Sequence, residues 1–369
     1  RLIAELFDPE HGKPGGIDTC IRGLVRYCPP GIELKIAGVD AVGNKRLGEW
    51  AEYTIGGRTV LFMPVARLDH ADLHRKIPHS VKLSIGLRKY LPAPDADVVQ
   101  THRVYMGAVA MRLYPRADHV QFIHNSGVDD LREGSSSYFR HAIFAYRRLE
   151  QHVIPRSIDT VVFNREGADR LKKISSRVRF SPTWFDPAEF FPSQTESSRK
   201  SRIIWACRID PQKNPELAVD VMSALPERYT ITVAGNGILA PLMRERAKKS
   251  PAADRINFAG AVPKSEIGAM MRDHDLLLMT SRFEGFSRTV VEGLASGLPV
   301  VTTYGGEPNG LVQTGLNGAR VDADQADLFV PAMEIASKVS ASAARKSVSH
   351  LTAATVVPNV LATSGRASR

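Results

Sequence analysis

Short apolar runs separated by helical patterns recur along the whole chain. In the first half they fall at residues 2–7, 33–38, 59–64, 96–101, 120–124 and 160–164, with helical periodicity between several of them, notably over 17–27 and 138–153. The second half repeats the theme at 202–206, 229–234, 255–258, 275–279 and 299–303. Asn214-Pro215 supplies an N-cap and a first-turn proline, and Leu217, Val221 and Leu225 mark the buried face of the helix that follows. Such alternation predicts an α/β protein with open parallel sheets covered by helices on both faces. Residues 186–201, with Pro187, Pro192 and a Ser-rich run, read as a linker. The expected organisation is a first Rossmann-like domain over 1–190, a second over 191–345, and a tail over 346–369. The Ser/Ala-rich tail leaves two options, partial disorder or a helix returning to the first domain. Two parallel sheets facing each other at the carboxyl ends of their strands would leave a central cleft, the usual ligand position in such architectures.

Composition narrows the class. With 369 residues, 43% hydrophobic and 24% charged, the chain can fill two ordinary cores. No window approaches the length of a membrane-spanning apolar run, and the N-terminal segment reads as a strand and not as a signal peptide. Three scattered cysteines, Cys20, Cys28 and Cys207, suit a reducing compartment, so a cytoplasmic protein is expected. The net charge of +10 is spread over both halves, and no nucleic-acid motif or aromatic-basic platform accompanies it. Nucleic acid is therefore not an expected partner. Two basic clusters, over 67–89 and 165–179, suit either a solvated helix face or peripheral contact with an anionic membrane, on the inner face of the cell membrane.

Several residues carry candidate chemistry. Glu284 and Glu292 flank a Gly-containing bend and precede an apolar strand. Carboxylates accept paired hydrogen bonds from vicinal hydroxyls, so one could hold a sugar and the other a ribose. Spacing alone equally fits two capping boxes, Ser281 to Glu284 and Thr289 to Glu292. Arg208 and Lys213 follow a strand and precede a helix, where two cations suit a departing diphosphate or merely a solvated loop. Gly15 and Gly16 follow the first strand and open a helix, a place where backbone can approach an anion. Gly235-x-Gly237-x-x-Ala240 matches a dinucleotide fingerprint, but Asp254 precedes the next strand instead of ending it, which argues against NAD. His102 and His124 each end an apolar strand, a position more often structural than catalytic. Asp95-Ala96-Asp97 opens a strand and gives no reason to expect a metal. Neither a nucleophile elbow nor a zinc helix is present in the sequence.

The segment from Glu284 to Glu292 resembles the E-x7-E signature of retaining glycosyltransferases of family 4, which have the GT-B fold. The Arg-x4-Lys spacing of Arg208 and Lys213, the Gly-Gly loop at Gly15 and Gly16, and the turn at Gly235 and Gly237 resemble the same family. The resemblance covers roughly residues 1–335 and is strongest in the second half. It implies transfer of a hexose from a UDP- or GDP-sugar to a glycan or lipid-linked acceptor, in polysaccharide or glycoconjugate synthesis, with no cofactor or metal required. It further implies that Glu284 holds sugar hydroxyls and Glu292 the ribose. The backbone of Phe286 and Ser287 would contact sugar or phosphate, Arg208 and Lys213 would stabilise the leaving diphosphate, and His124 would approach the donor sugar, with His102 a lesser candidate. Gly15, Gly16, Gly235 and Gly237 would lie near the nucleotide. Two departures are Thr183-Trp184, where the family commonly has Asn-Gly, and Asn309, where an acid is usual. The alternatives are a nucleotide-sugar epimerase or phosphorylase of the same fold, or a non-catalytic nucleotide-sugar-binding protein.

Overall fold

The computed structural model describes residues 1–11, 15–68, 77–94, 96–124, 143–194 and 201–362. The described residues form two compact units, one of residues up to 181 and from 357 onward, the other of 182–356.

The first unit is built on an eight-stranded sheet in the order β3-β4-β2-β1-β5-β6-β7-β8. Its strands are β1 (Leu2–Ala4), β2 (Lys35–Asp40), β3 (Ala51–Ile55), β4 (Arg58–Arg67), β5 (Val98–Thr101), β6 (Asp118–Ile123), β7 (Asp159–Val162) and β8 (Val178–Phe180). All pairings are parallel except β3 with β4, a hairpin closed by Gly56-Gly57, both at positive φ. A two-residue turn of that kind needs left-handed backbone, which glycine supplies without strain. Ile36, Phe62, Val99, Phe122 and Val161 are completely buried, as parallel strands covered on both faces require. Helix Gly16–Arg26 turns Cys20, Ile21, Leu24 and Val25 inward. Arg179 on β8 pairs with Asp159 and donates to the carbonyls of Asn359, Val360 and Ala362, fixing the end of helix Ala353–Leu361 in this unit.

The second unit has six parallel strands: β9 (Arg202–Ala206), β10 (Thr230–Ala234), β11 (Ile256–Gly260), β12 (Leu276–Met279), β13 (Val300–Thr303) and β14 (Gly318–Val321). Their order is β11-β10-β9-β12-β13-β14. Counted from β9, this is the dinucleotide-fold order 3-2-1-4-5-6, which reverses between its first and fourth strands. The chain leaves β9 and β12 side by side at that switch point, so their following loops must meet. The core is Trp205, Tyr229, Val233, Leu276, Leu278, Val301 and Phe329. Helix Pro215–Ala224 begins where expected, with proline in its first turn, but Asn214 does not cap it. Asn214 is left-handed (φ 48°), and its side-chain amide donates to Asp324 instead, 3.2 Å away. Asparagine tolerates that backbone better than most residues.

Candidate functional site

The loops after β9 and β12 are laced together by hydrogen bonds. The Trp205 indole donates to the Thr280 hydroxyl (2.9 Å), which donates in turn to the Lys213 carbonyl (2.8 Å). The Gln212 amide donates to the Phe283 carbonyl (2.9 Å), and the Arg282 N–H donates to the Gln212 carbonyl (2.9 Å). At the centre the Lys213 ammonium pairs with the Glu284 carboxylate, with side chains only 13% and 11% exposed. The Ser281 hydroxyl donates to the same carboxylate at 2.9 Å. Two sequence-predicted residues, 71 positions apart, are thus brought into direct contact. Arg208 lies at the rim, more than half exposed, and is held by Asp210 at 2.8 Å.

Gly235 and Gly237 have a clear packing role. A Cβ on Gly235 would meet the Cys207 carbonyl oxygen at 1.9 Å, and one on Gly237 the Ile209 carbonyl oxygen at 2.5 Å. Only glycine lets this turn press against the loop that carries Arg208 and Lys213. Burial pushes the pKa of the Cys207 thiol up.

Neither capping box forms. Ser281 and Glu284 bond side chain to side chain in a loop, and helix Arg288–Ala295 begins after Ser287, whose side chain makes no capping bond. Thr289 lies inside that helix, so Glu292 is a mid-helix residue. Glu292 is 8% exposed, and no described residue donates a hydrogen bond to its carboxylate. Burial drives its pKa up from 4.5 to about 7, against a smaller opposing pull from Arg288. Phe286 is partly buried and Ser287 buried at the start of the helix.

Sequence reasoning passed over the tethers of this loop. Asn309 donates to the Gly285 carbonyl at 2.8 Å, and the fully buried Glu307 accepts from the backbone N–H groups of Asn309, Leu311 and Val312. Asn309 was visible only as a departure from a pattern, and Gln212 as a polar residue between two cations. A neighbouring cavity of about 270 Å³ is lined by Ser281, Arg282, Tyr304, Asp322 and Asp324; its two carboxylates do not suit a phosphate.

The remaining candidates belong to the first unit. His102, buried at the end of β5, contacts His124 at the end of β6, with ring nitrogens 2.9 Å apart. Cys20 brings its sulfur within 4.8 Å of nitrogens on both rings, and Asp8, Glu10 and His11 form a second group of this kind. Both nitrogens of His102 are already engaged in hydrogen bonds. Gly15 and Gly16 are exposed at the start of their helix, while residues 12–14 and 95 lie outside the described ones. In the basic cluster over 165–179, Arg170 forms a two-pronged pair with Glu150 and Arg179 is committed to Asp159.

Comparison with known proteins places this geometry in context. Residues 187–346 match the family "Glycosyl transferases group 1". The lipopolysaccharide core biosynthesis mannosyltransferase LpsB of Rhizobium meliloti is 33% identical over 174 residues, covering 45% of this chain and 47% of that protein. The chain spans about half the length of the first curated relatives it matches. Among solved structures, sucrose-phosphate synthase from Thermosynechococcus elongatus superposes with a TM-score of 0.79 at 16% identity, over 97% of this chain and 96% of that one. Anabaena HepE in complex with UDP-glucose superposes at 0.69 and 15% identity, over 97% and 98%. The chain therefore has the GT-B fold, and its second unit is related to the glycosyl transferases group 1.

Proposed function

We propose that the protein is a retaining glycosyltransferase that moves a hexose from a nucleoside-diphosphate sugar to a hydroxyl of a glycan or lipid-linked acceptor. The observation that carries this is the Lys213–Glu284 pair at the β9/β12 switch point. Lys213, with Arg208 at the rim, supplies positive charge where a diphosphate would gain negative charge as the glycosidic bond breaks. Glu284, oriented by Ser281 and Lys213, is the acceptor for sugar hydroxyls. Glu292 offers a buried carboxylate with no described donor, the partner that a ribose diol would satisfy. His124 is assigned to the donor sugar. Retention follows the front-face scheme of the resembling family, in which the leaving phosphate takes the acceptor's proton, so no separate base is needed. The HepE complex makes UDP-sugars the first donors to try.

Incubation with a panel of labelled UDP- and GDP-sugars tests the proposal. Slow release of free nucleotide from one donor is expected. Binding without turnover under any acceptor condition would favour a non-catalytic binder, and an altered nucleotide sugar in place of a released one would favour an epimerase.

A membrane contact is proposed on helix His79–Tyr90. Val81 and Ile85, one turn apart on this helix, are 43% and 60% exposed, with Ile77 just before the helix 46% exposed and Arg88 and Lys89 exposed near its end. An apolar ridge flanked by cations suits an anionic bilayer surface. The protein is expected to sediment with vesicles containing anionic lipid, and Ile85→Asp to abolish this without lowering thermal stability. Indifference of the wild type to anionic lipid would end the idea.

A further inference from the structure

A chain of four side chains in the first unit fixes which nitrogen of His124 carries the proton. Arg1, just before β1, donates from Nη1 to Gln100 Oε1 at 3.1 Å, and from Nη2 to the Leu361 carbonyl at 2.9 Å. A guanidinium has no lone pair to offer, so the Gln100 atom facing it must be the amide oxygen. The Gln100 NH2 group therefore faces His102 Nε2, 2.9 Å away. An amide nitrogen only donates, so Nε2 of His102 accepts and the ring proton resides on Nδ1. That Nδ1 lies 2.9 Å from His124 Nε2, which must accept in turn. We propose that Arg1, Gln100 and His102 hold His124 as the neutral tautomer protonated on Nδ1, so that His124 acts in sugar binding as a fixed hydrogen-bond donor and not as a base.

The surroundings support the assignment. Gln100 is completely buried and His102 is 2% exposed, so an unmatched donor or acceptor there would be costly. The His102 ring packs on Phe122 and lies nearly parallel to His124 (13°), as the in-plane bond between their nitrogens requires, and His124 packs in turn on Phe163, with centroids 4.9 to 5.1 Å apart. Rotating either ring by half a turn would replace a bonded nitrogen by carbon. Burial also pushes the His102 pKa down to about 3, so the ring stays uncharged. Gln100 and His102 act through His124 and are positioning residues. The functional half of this inference rests on the transferase proposal; the tautomer half does not.

The test begins with histidine labelled by 15N in the full-length protein without any nucleotide sugar. Long-range proton–nitrogen spectra at pH 7 should show both rings neutral and protonated on Nδ1. An Nε2-protonated His124, or a charged His102, would overturn the assignment. Gln100→Glu can only accept from His102, so its Nε2 should gain a proton; an unchanged His102 spectrum would also overturn the chain. If that variant does not fold, the wild-type spectrum decides alone. For the functional half, His124→Asn places an amide donor near the original Nδ1 and should keep donor turnover within about threefold of wild type, while His124→Leu should lose about tenfold to hundredfold. Equal losses in both would exclude the donor role. Spectra as expected with no turnover of any donor would instead count against the transferase proposal and leave the tautomer assignment standing.

Discussion

Glu292→Gln is expected to stabilise the free protein at alkaline pH while weakening nucleotide binding. The buried carboxylate titrates near 7 in the folded chain and near 4.5 in the unfolded one. Between those values the folded state binds more protons than the unfolded state, so wild-type stability falls as pH rises through this window. The full loss is about 3 kcal/mol, reached above pH 7 and absent below pH 4.5. Glutamine does not titrate. Its stability relative to wild type should therefore improve by about 3 kcal/mol between pH 4 and pH 8, roughly 6 to 12 °C in the melting temperature of the second unit. If Glu292 holds the ribose as proposed, removing the carboxylate also removes those charge-assisted bonds, and nucleotide affinity at pH 8 should drop about tenfold. Melting curves and calorimetric titration with UDP at several pH values check both halves. A stability difference that is flat with pH would refute the titration, and unchanged affinity would make Glu292 a purely structural acid.

Lys213→Ala is expected to reduce donor turnover by about a hundredfold to a thousandfold, the usual cost of one lost charge-stabilising donor. Because Lys213 also orients Glu284, the two should not act independently. Glu284→Ala should lose turnover alone, and the double variant should be little worse than the more damaged single one. Additive losses in that cycle would mean that the pair seen in the free protein has no part in catalysis. A loss confined to thermal stability would reduce it to an ordinary ion pair.

Much of this was legible in the residues. The inner strands β9, β12 and β13 of the second unit read as largely apolar runs, because strands covered on both faces do not alternate. β14 escaped notice because Gly318-Ala319-Arg320-Val321 is short and half polar, and it is ordered by pairing with β13. β3 escaped as well, although Gly56-Gly57 signalled its hairpin. The Arg-x4-Lys and E-x7-E spacings singled out Lys213 and Glu284 as candidates, but spacing within one segment cannot reveal a bond to another. That bond exists because β9 and β12 are neighbours, a property of strand order. The capping boxes failed for a related reason: the helix begins at Arg288, and the pattern of side chains did not say where. His102 and His124 were seen one at a time, and only the adjacency of β5 and β6 makes them a pair.

The tethers on the loop from Ser281 to Ser287 bear on any attempt to alter donor choice by exchange of parts. Gln212 holds its Phe283 carbonyl and Asn309 its Gly285 carbonyl, from segments on either side in sequence. A chimera importing this loop alone from a relative with an acid at the Asn309 position would bring a carbonyl that expects a different neighbour. The natural unit of exchange is therefore discontinuous, three pieces of chain that must travel together.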